Sequence, residues 1–275
     1  MLPTSLDLPV GPQAARIFFG YRAQALKDCP QDDEVERKRR RDQFLGDLGS
    51  TFMPGTPLMQ APLGLSAYVP AVIDPEHDAG LPDEVAIIVY SSLDVYNRFR
   101  EISLSRRMYT KSHDAVFDMP NSIAQVPGPA ANPASRQVGA DTQQFLYLSD
   151  TPVDWQGGVT RVMLIVPDAP STGFQDALRG RLEAARGKAS ELGVDQIMAG
   201  IAPGFAALWA HSAEPIEGLA DALGLLPDSA RLFRDLPATP SPVIGEREKG
   251  VKITGACAYT FRFSRFMEFF DDRTG

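Results

Sequence analysis

Short aromatic and β-branched runs alternate with amphipathic stretches along this chain, and their order is its clearest signal. ARIFFGYR over Ala15–Arg22 predicts a strand. Asp32 and Asp33 follow Pro30 as N-cap carboxylates, and Glu36 stands three residues past Asp33, as a capping box requires. The helix they open carries Val35, Phe44, Leu45, Leu48 and Phe52 toward a core and is expected to close at the Pro54–Pro57 cluster. LSAYVPAVI over Leu65–Ile73 predicts a second strand, placed at an edge or a bulge by Pro70. EVAIIVYS over Glu84–Ser91 predicts a third strand, Ser91 or Ser92 caps a helix through Leu93, Tyr96, Phe99 and Ile102, and QFLYLS over Gln144–Ser149 predicts a fourth strand.

The second half repeats the order. VTRVMLIV over Val159–Val166 predicts a strand, and Ser171 or Thr172 opens a helix. Phe174, Leu178, Leu182, Ala185, Ala189 and Leu192 fall on one face of that helix at spacings of 4, 4, 3, 4 and 3. Gly193 stands where a left-handed cap is wanted. Val194–Ala202 and Phe205–Ser212 predict two strands joined at the turn dipeptide Pro203-Gly204. A helix through Ile216, Leu219, Ala220 and Leu223 is expected to restart at Asp228 through Leu232 and Phe233. TGACAYTFRFSRF over Thr254–Phe266 predicts the last strand. The reading is an α+β chain of two βαββαβ units in tandem, residues 1–150 and 151–275. An antiparallel sheet with its helices on one face must bury the other, and two units in one chain can cover each other.

In this element order, from Arg16–Tyr21 through Tyr259–Phe263, the chain resembles the dimeric α+β-barrel superfamily, in which two ferredoxin-like units meet sheet to sheet. The resemblance implies a fused barrel and a ligand site between a sheet and its own helices. It also implies an activity drawn from cofactor-free monooxygenases, cyclases and isomerases, or from haem proteins of the tandem kind.

Composition narrows the partners. The chain has 27 Lys+Arg against 35 Asp+Glu, a net charge of −8, so it offers no field for nucleic-acid phosphates or anionic lipid. The basic run Arg37–Arg41 follows Asp32, Asp33, Glu34 and Glu36 on a helix and reads as a solvated face. Nothing approaches the run of roughly 20 apolar residues that spans a bilayer, and the N-terminal residues lack signal-peptide character. Cys29 and Cys257 read as two free thiols. The expectation is a cytoplasmic protein, monomeric or homodimeric, that binds a small molecule, with no nucleic-acid or membrane partner.

No phosphate loop, nucleophile elbow, zinc motif or other metal-ligand spacing is present, which leaves proton chemistry on a scarce resource, the three histidines. His77 lies in an acidic loop and reads as solvated. His113 precedes a long Pro-rich loop, with Asp114 or Asp118 placed to orient its ring. His211 shares a strand face with Phe205, Ala207 and Trp209, directed either between the sheets or toward the helices. The leading expectation is an enzyme without a cofactor that performs cyclisation, isomerisation or oxygenation on an aromatic or polyketide-like substrate. His113 or His211 would be the base, Tyr90 and Tyr259 hydrogen-bond donors, Arg262 an oxyanion partner and Trp209 a stacking wall. The alternatives are a haem enzyme with one of these histidines as axial ligand, and a non-catalytic binding or assembly protein.

Overall fold

A computed structural model describes residues 14–27, 29, 31–60, 64–73, 80–100, 111–124, 143–146, 153–155, 157–238, 244–247 and 250–253. The first antiparallel sheet holds β1 (Ala14–Gly20), β2 (Leu65–Val72), β3 (Glu84–Tyr90) and the short β4 (Ile123–Ala124), in the order β2-β3-β1-β4. The second holds β5 (Gln143–Leu146), β6 (Val159–Pro167), β7 (Val194–Ala202), β8 (Phe205–Ser212) and β9 (Ala230–Ala238), in the order β5-β7-β8-β6-β9. Without β5, the second order repeats the first, strand for strand. A separate hairpin pairs β10 (Ile244–Arg247) with β11 (Gly250–Ile253).

Helix α1 (Glu34–Asp47) starts as its capping residues require: the Asp33 carboxylate accepts a hydrogen bond from the Glu36 amide at 2.8 Å. Its arginines pair along the helix, Arg39 and Arg40 both reaching Glu36. Val35 is 76% exposed, a correction to its expected place in the core. It sits in the first turn, while Phe44 in the last turn and Leu48 just past the helix end are buried. The Pro54–Pro57 cluster does not end the helix either. A π-helical turn at Leu48–Phe52 shifts the hydrogen-bond phase, and α2 (Met53–Gln60) continues from it. Pro54 thereby falls in a fresh first turn, where a missing N–H costs nothing. Helix α3 (Leu93–Arg100) follows β3. In the second half, α4 (Thr172–Glu191) is capped by the Ser171 hydroxyl accepting from the Phe174 amide at 3.1 Å, and Gly193 has φ +79°. The short helix α5 (Leu219–Leu223) precedes β9.

Two assignments change. The fourth strand of the first sheet is β4, and residues 143–146 join β7 in the second sheet instead. Residues 230–238 are a strand rather than a resumed helix. Both alternating sets, Leu232/Arg234/Leu236 and Arg231/Phe233/Asp235, mix apolar and charged side chains, and pairing with β6, with a register shift at Leu164/Ile165, makes the segment a strand. The predicted strand 254–266 lies outside the described residues. Pro70 does mark an edge strand, with a register shift between Leu65 and Ala67.

The two sheets bury one face each against the other. Ala15, Ile17 and Phe19 of β1, Val85, Ile87 and Val89 of β3, and Ala67 and Val69 of β2 share one apolar cluster with Val162, Leu164, Met198, Phe205, Ala207 and Trp209. The approach is close enough that a Cβ on Gly200 of β7 would lie 2.6 Å from Ile17 Cδ1 and 2.7 Å from Phe19 Cζ, so any side chain there would have to displace those two. The opposite faces carry the helices: α4 and α5 cover the second sheet, and the α1–α2 arm covers the first. Polar groups collect under an apolar roof at one place in this layering.

Candidate functional site

That place lies between the helix-side face of the first sheet and the α1–α2 arm. Strand alternation sends Arg16 and Phe18 of β1, Tyr68 of β2, and Glu84 and Ile88 of β3 to this face. Phe52, Thr56 and Gln60 descend from the π-turn and α2, and His113 and Phe117 come from the segment after α3. Together these ten residues line one cavity. Its wall is aromatic: the Phe52 and His113 rings meet edge-on with centroids 4.9 Å apart, Phe18 packs on Phe117 at 5.2 Å, and Phe52 on Phe117 at 5.7 Å. Thr56 donates its hydroxyl back to the Phe52 carbonyl at 2.8 Å and so steadies the π-turn. π-Turns of this kind recur at functional sites.

The cavity's polar centre is Glu84. Its carboxyl is 2% exposed and accepts a hydrogen bond from the Tyr68 hydroxyl at 2.5 Å. Burial disfavours its charge and pushes its pKa up to about 7, with the Tyr68 hydrogen bond acting the other way. The carboxyl therefore changes charge near neutral pH, the range in which a side chain serves as acid or base. Asp83, next in sequence, is engaged outside the cavity lining. Its carboxylate binds Arg22 through Nε at 2.8 Å and the Arg22 amide at 2.7 Å, which fixes the strand entry behind Glu84.

The predicted site residues separate. His113 lines the cavity, half-buried. Tyr90 is buried one step behind it and donates to Gln60 Oε1 at 3.3 Å, so it touches a lining residue rather than the cavity. Asp114 is exposed, and Asp118 is held by Lys27 at 3.1 Å and Asn121 at 2.9 Å. Trp209 lies between the sheets and donates its indole N–H to the Val69 carbonyl at 3.1 Å. His211 lies at the end of that same face. Its Nδ1 is 3.0 Å from Asp195 Oδ2, its Nε2 2.7 Å from the Gly157 carbonyl, and Trp155 packs against its ring. Both nitrogens are thus spent on holding the chain beside Gly158 against β7 and β8. At Gly158, φ is +61° and a Cβ would lie 2.4 Å from the Ser212 carbonyl. His77, Tyr259 and Arg262 lie outside the described residues.

Glu84, Tyr68, Gln60 and Arg16 belong to no motif in the sequence. The usable signal was the alternation in Glu84–Tyr90, which puts a glutamate on the Tyr90 face of a strand whose other positions are apolar.

Neither candidate histidine is placed for haem. His211 has no free nitrogen, and the His113 ring is enclosed by Phe18, Phe52 and Phe117 at 4.9–6.2 Å, so a porphyrin over it would have to displace all three. Among the described residues no helix is long and apolar enough to cross a membrane, and no group of three His, Cys, Asp or Glu side chains could hold a metal ion.

No protein-family model matches the chain, and no curated protein matches its sequence. Solved structures do align with it. One is a "putative monooxygenase" of Fusobacterium nucleatum subsp. nucleatum ATCC 25586, 10% identical, covering 89% of this chain and 98% of that one at a TM-score of 0.37. Another, a "putative monooxygenase" of Lactobacillus acidophilus NCFM, is 10% identical and covers 89% of this chain and all (100%) of that one at 0.35. A third, an "anthrone oxidase-like protein", is 9% identical and covers 82% of this chain and 92% of that one at 0.35. Likenesses of this size carry no chemistry over to this chain.

Proposed function

We propose that this chain is a small-molecule enzyme of two tandem ferredoxin-like units, residues 1–150 and 151–275, fused as an α+β barrel. Its active site is the cavity between the first sheet and the α1–α2 arm, and its substrate is aromatic or polyketide-like. The observation that carries the reading is one cavity that joins an enclosed, titratable carboxyl, a histidine and an arginine under a roof of phenyl rings. Cyclisation, isomerisation and cofactor-free oxygenation of such a substrate share a first step, removal of a proton to leave an enolate or phenolate. A dry pocket with a cation in its lining stabilises that anion more than water does. The side chains present supply the proton chemistry without a bound cofactor.

The cavity's free volume is about 20 Å³, room for one water molecule. An aryl ring therefore enters as Phe52 swings outward with the π-turn, the kind of loop motion that gates many active sites. The test uses 2-tetralone, a bicyclic benzylic ketone, with binding read by saturation-transfer NMR. Ile88→Trp, which fills the cavity from β3, is expected to abolish binding, and Phe52→Ala, which opens the wall, to speed association. Val35→Trp on the exposed start of α1 should change neither. No binding to the wild type, or equal binding by all four proteins, overturns the reading.

A further inference from the structure

We infer that Glu84 is the catalytic base of this cavity and that Tyr68 is the positioning residue that sets its basicity. The inference rests on the reading of the cavity as an active site and adds the proton acceptor and the class of compound it acts on, carbon acids between an aryl ring and a carbonyl. Three features single out Glu84 over the histidine that the sequence points to. It stands at the first position of β3, paired across the ladder with Gly20, so a rigid strand fixes it. Among the described residues its one hydrogen bond comes from Tyr68, which leaves a second carboxyl oxygen for a substrate. His113, in contrast, sits on a single short turn and spends its ring on packing against three phenylalanines.

The charged and titratable groups that line the cavity around Glu84 are Arg16 from β1, Tyr68 from β2 and His113 from the turn before Phe117. The step balances with these alone. The ionised Glu84 carboxyl takes the proton from the carbon beside the substrate carbonyl, the C–H electron pair forms the enolate double bond, and the carbonyl pair moves onto oxygen. Arg16 is the cation that lines the cavity on the β1 side. The proton, or a deuteron from solvent, then returns from Glu84 to the same carbon, which restores the ketone and the ionised carboxylate. Because Glu84 ionises at about 7, activity rises with pH through the neutral range. Loss of the Tyr68 hydrogen bond, which favours the ionised form, moves that rise to higher pH.

The experiment is deuterium exchange into 2-tetralone in D₂O, followed by NMR across pH 5–9 with binding measured in the same samples. Glu84→Gln is expected to bind the ketone and to lose roughly 10²–10⁴-fold in exchange rate, the usual contribution of a general base. Glu84→Asp should recover part of it, and Tyr68→Phe should shift the pH profile upward rather than only lower its height. Absence of binding would sink the active-site reading itself. Binding with no wild-type exchange, or exchange that survives Glu84→Gln and disappears in His113→Gln, would overturn the assignment to Glu84 alone.

Discussion

Replacing Trp209 with alanine is expected to cost about 3–5 kcal/mol of unfolding free energy, the range for removing a large aromatic side chain from a packed core. Trp209 is fully enclosed between the sheets, and its indole N–H bonds to the Val69 carbonyl of the opposite sheet. It is therefore a fastening between the two halves. Trp209→Phe keeps most of the packing and removes the hydrogen bond, leaving a buried carbonyl short of a donor, for roughly 1–3 kcal/mol. Urea unfolding of the three proteins measures both. If Trp209 were instead a wall for a ligand, the alanine variant would keep its stability and lose 2-tetralone binding. A loss below about 1 kcal/mol in Trp209→Ala would contradict the sheet-to-sheet core.

The second large effect concerns stability against pH. Glu84 holds its proton to about pH 7 in the folded chain, against an ordinary value of 4.5. Below pH 4.5 the carboxyl is neutral folded and unfolded, and the fold keeps its full contribution. Between 4.5 and 7 the unfolded chain releases the proton while the folded chain retains it, so stability falls as pH rises, by on the order of 3 kcal/mol in all. Glu84→Gln cannot ionise and keeps an oxygen for Tyr68. The difference in unfolding free energy between wild type and Glu84→Gln should therefore swing by about that amount from pH 4.5 to 8, the variant being the more stable at the alkaline end. A constant difference across that range would show that burial does not hold the proton. The variant that loses activity is expected to gain stability, the trade-off of a fold strained for function.

The sequence pattern was most informative where one periodicity ruled a whole element. Alternation in Phe205–His211 put Trp209 and His211 on one face, and that face meets the other sheet. Which way the face turned was decided by tertiary packing, because both faces of β8 are buried and apolar. The same double burial hid Glu84: within EVAIIVY, a strand with apolar cover on both sides, a carboxylate at the end of the run reads as a boundary residue. The proline cluster misled because a π-turn reset the helix phase, a non-local outcome that no single propensity predicts. Residues 230–238 carried mixed signals, and pairing with β6 settled them as a strand.

The most direct test is the titration of Glu84 itself, followed by NMR in protein carrying ¹³C at the glutamate side-chain carboxyls and assigned by its loss in Glu84→Gln. The expected result is one glutamate resonance with a midpoint near 7, shifted upward in Tyr68→Phe and displaced when 2-tetralone is added. A Glu84 resonance that titrates in the ordinary carboxylate range and does not respond to the ketone would contradict the account.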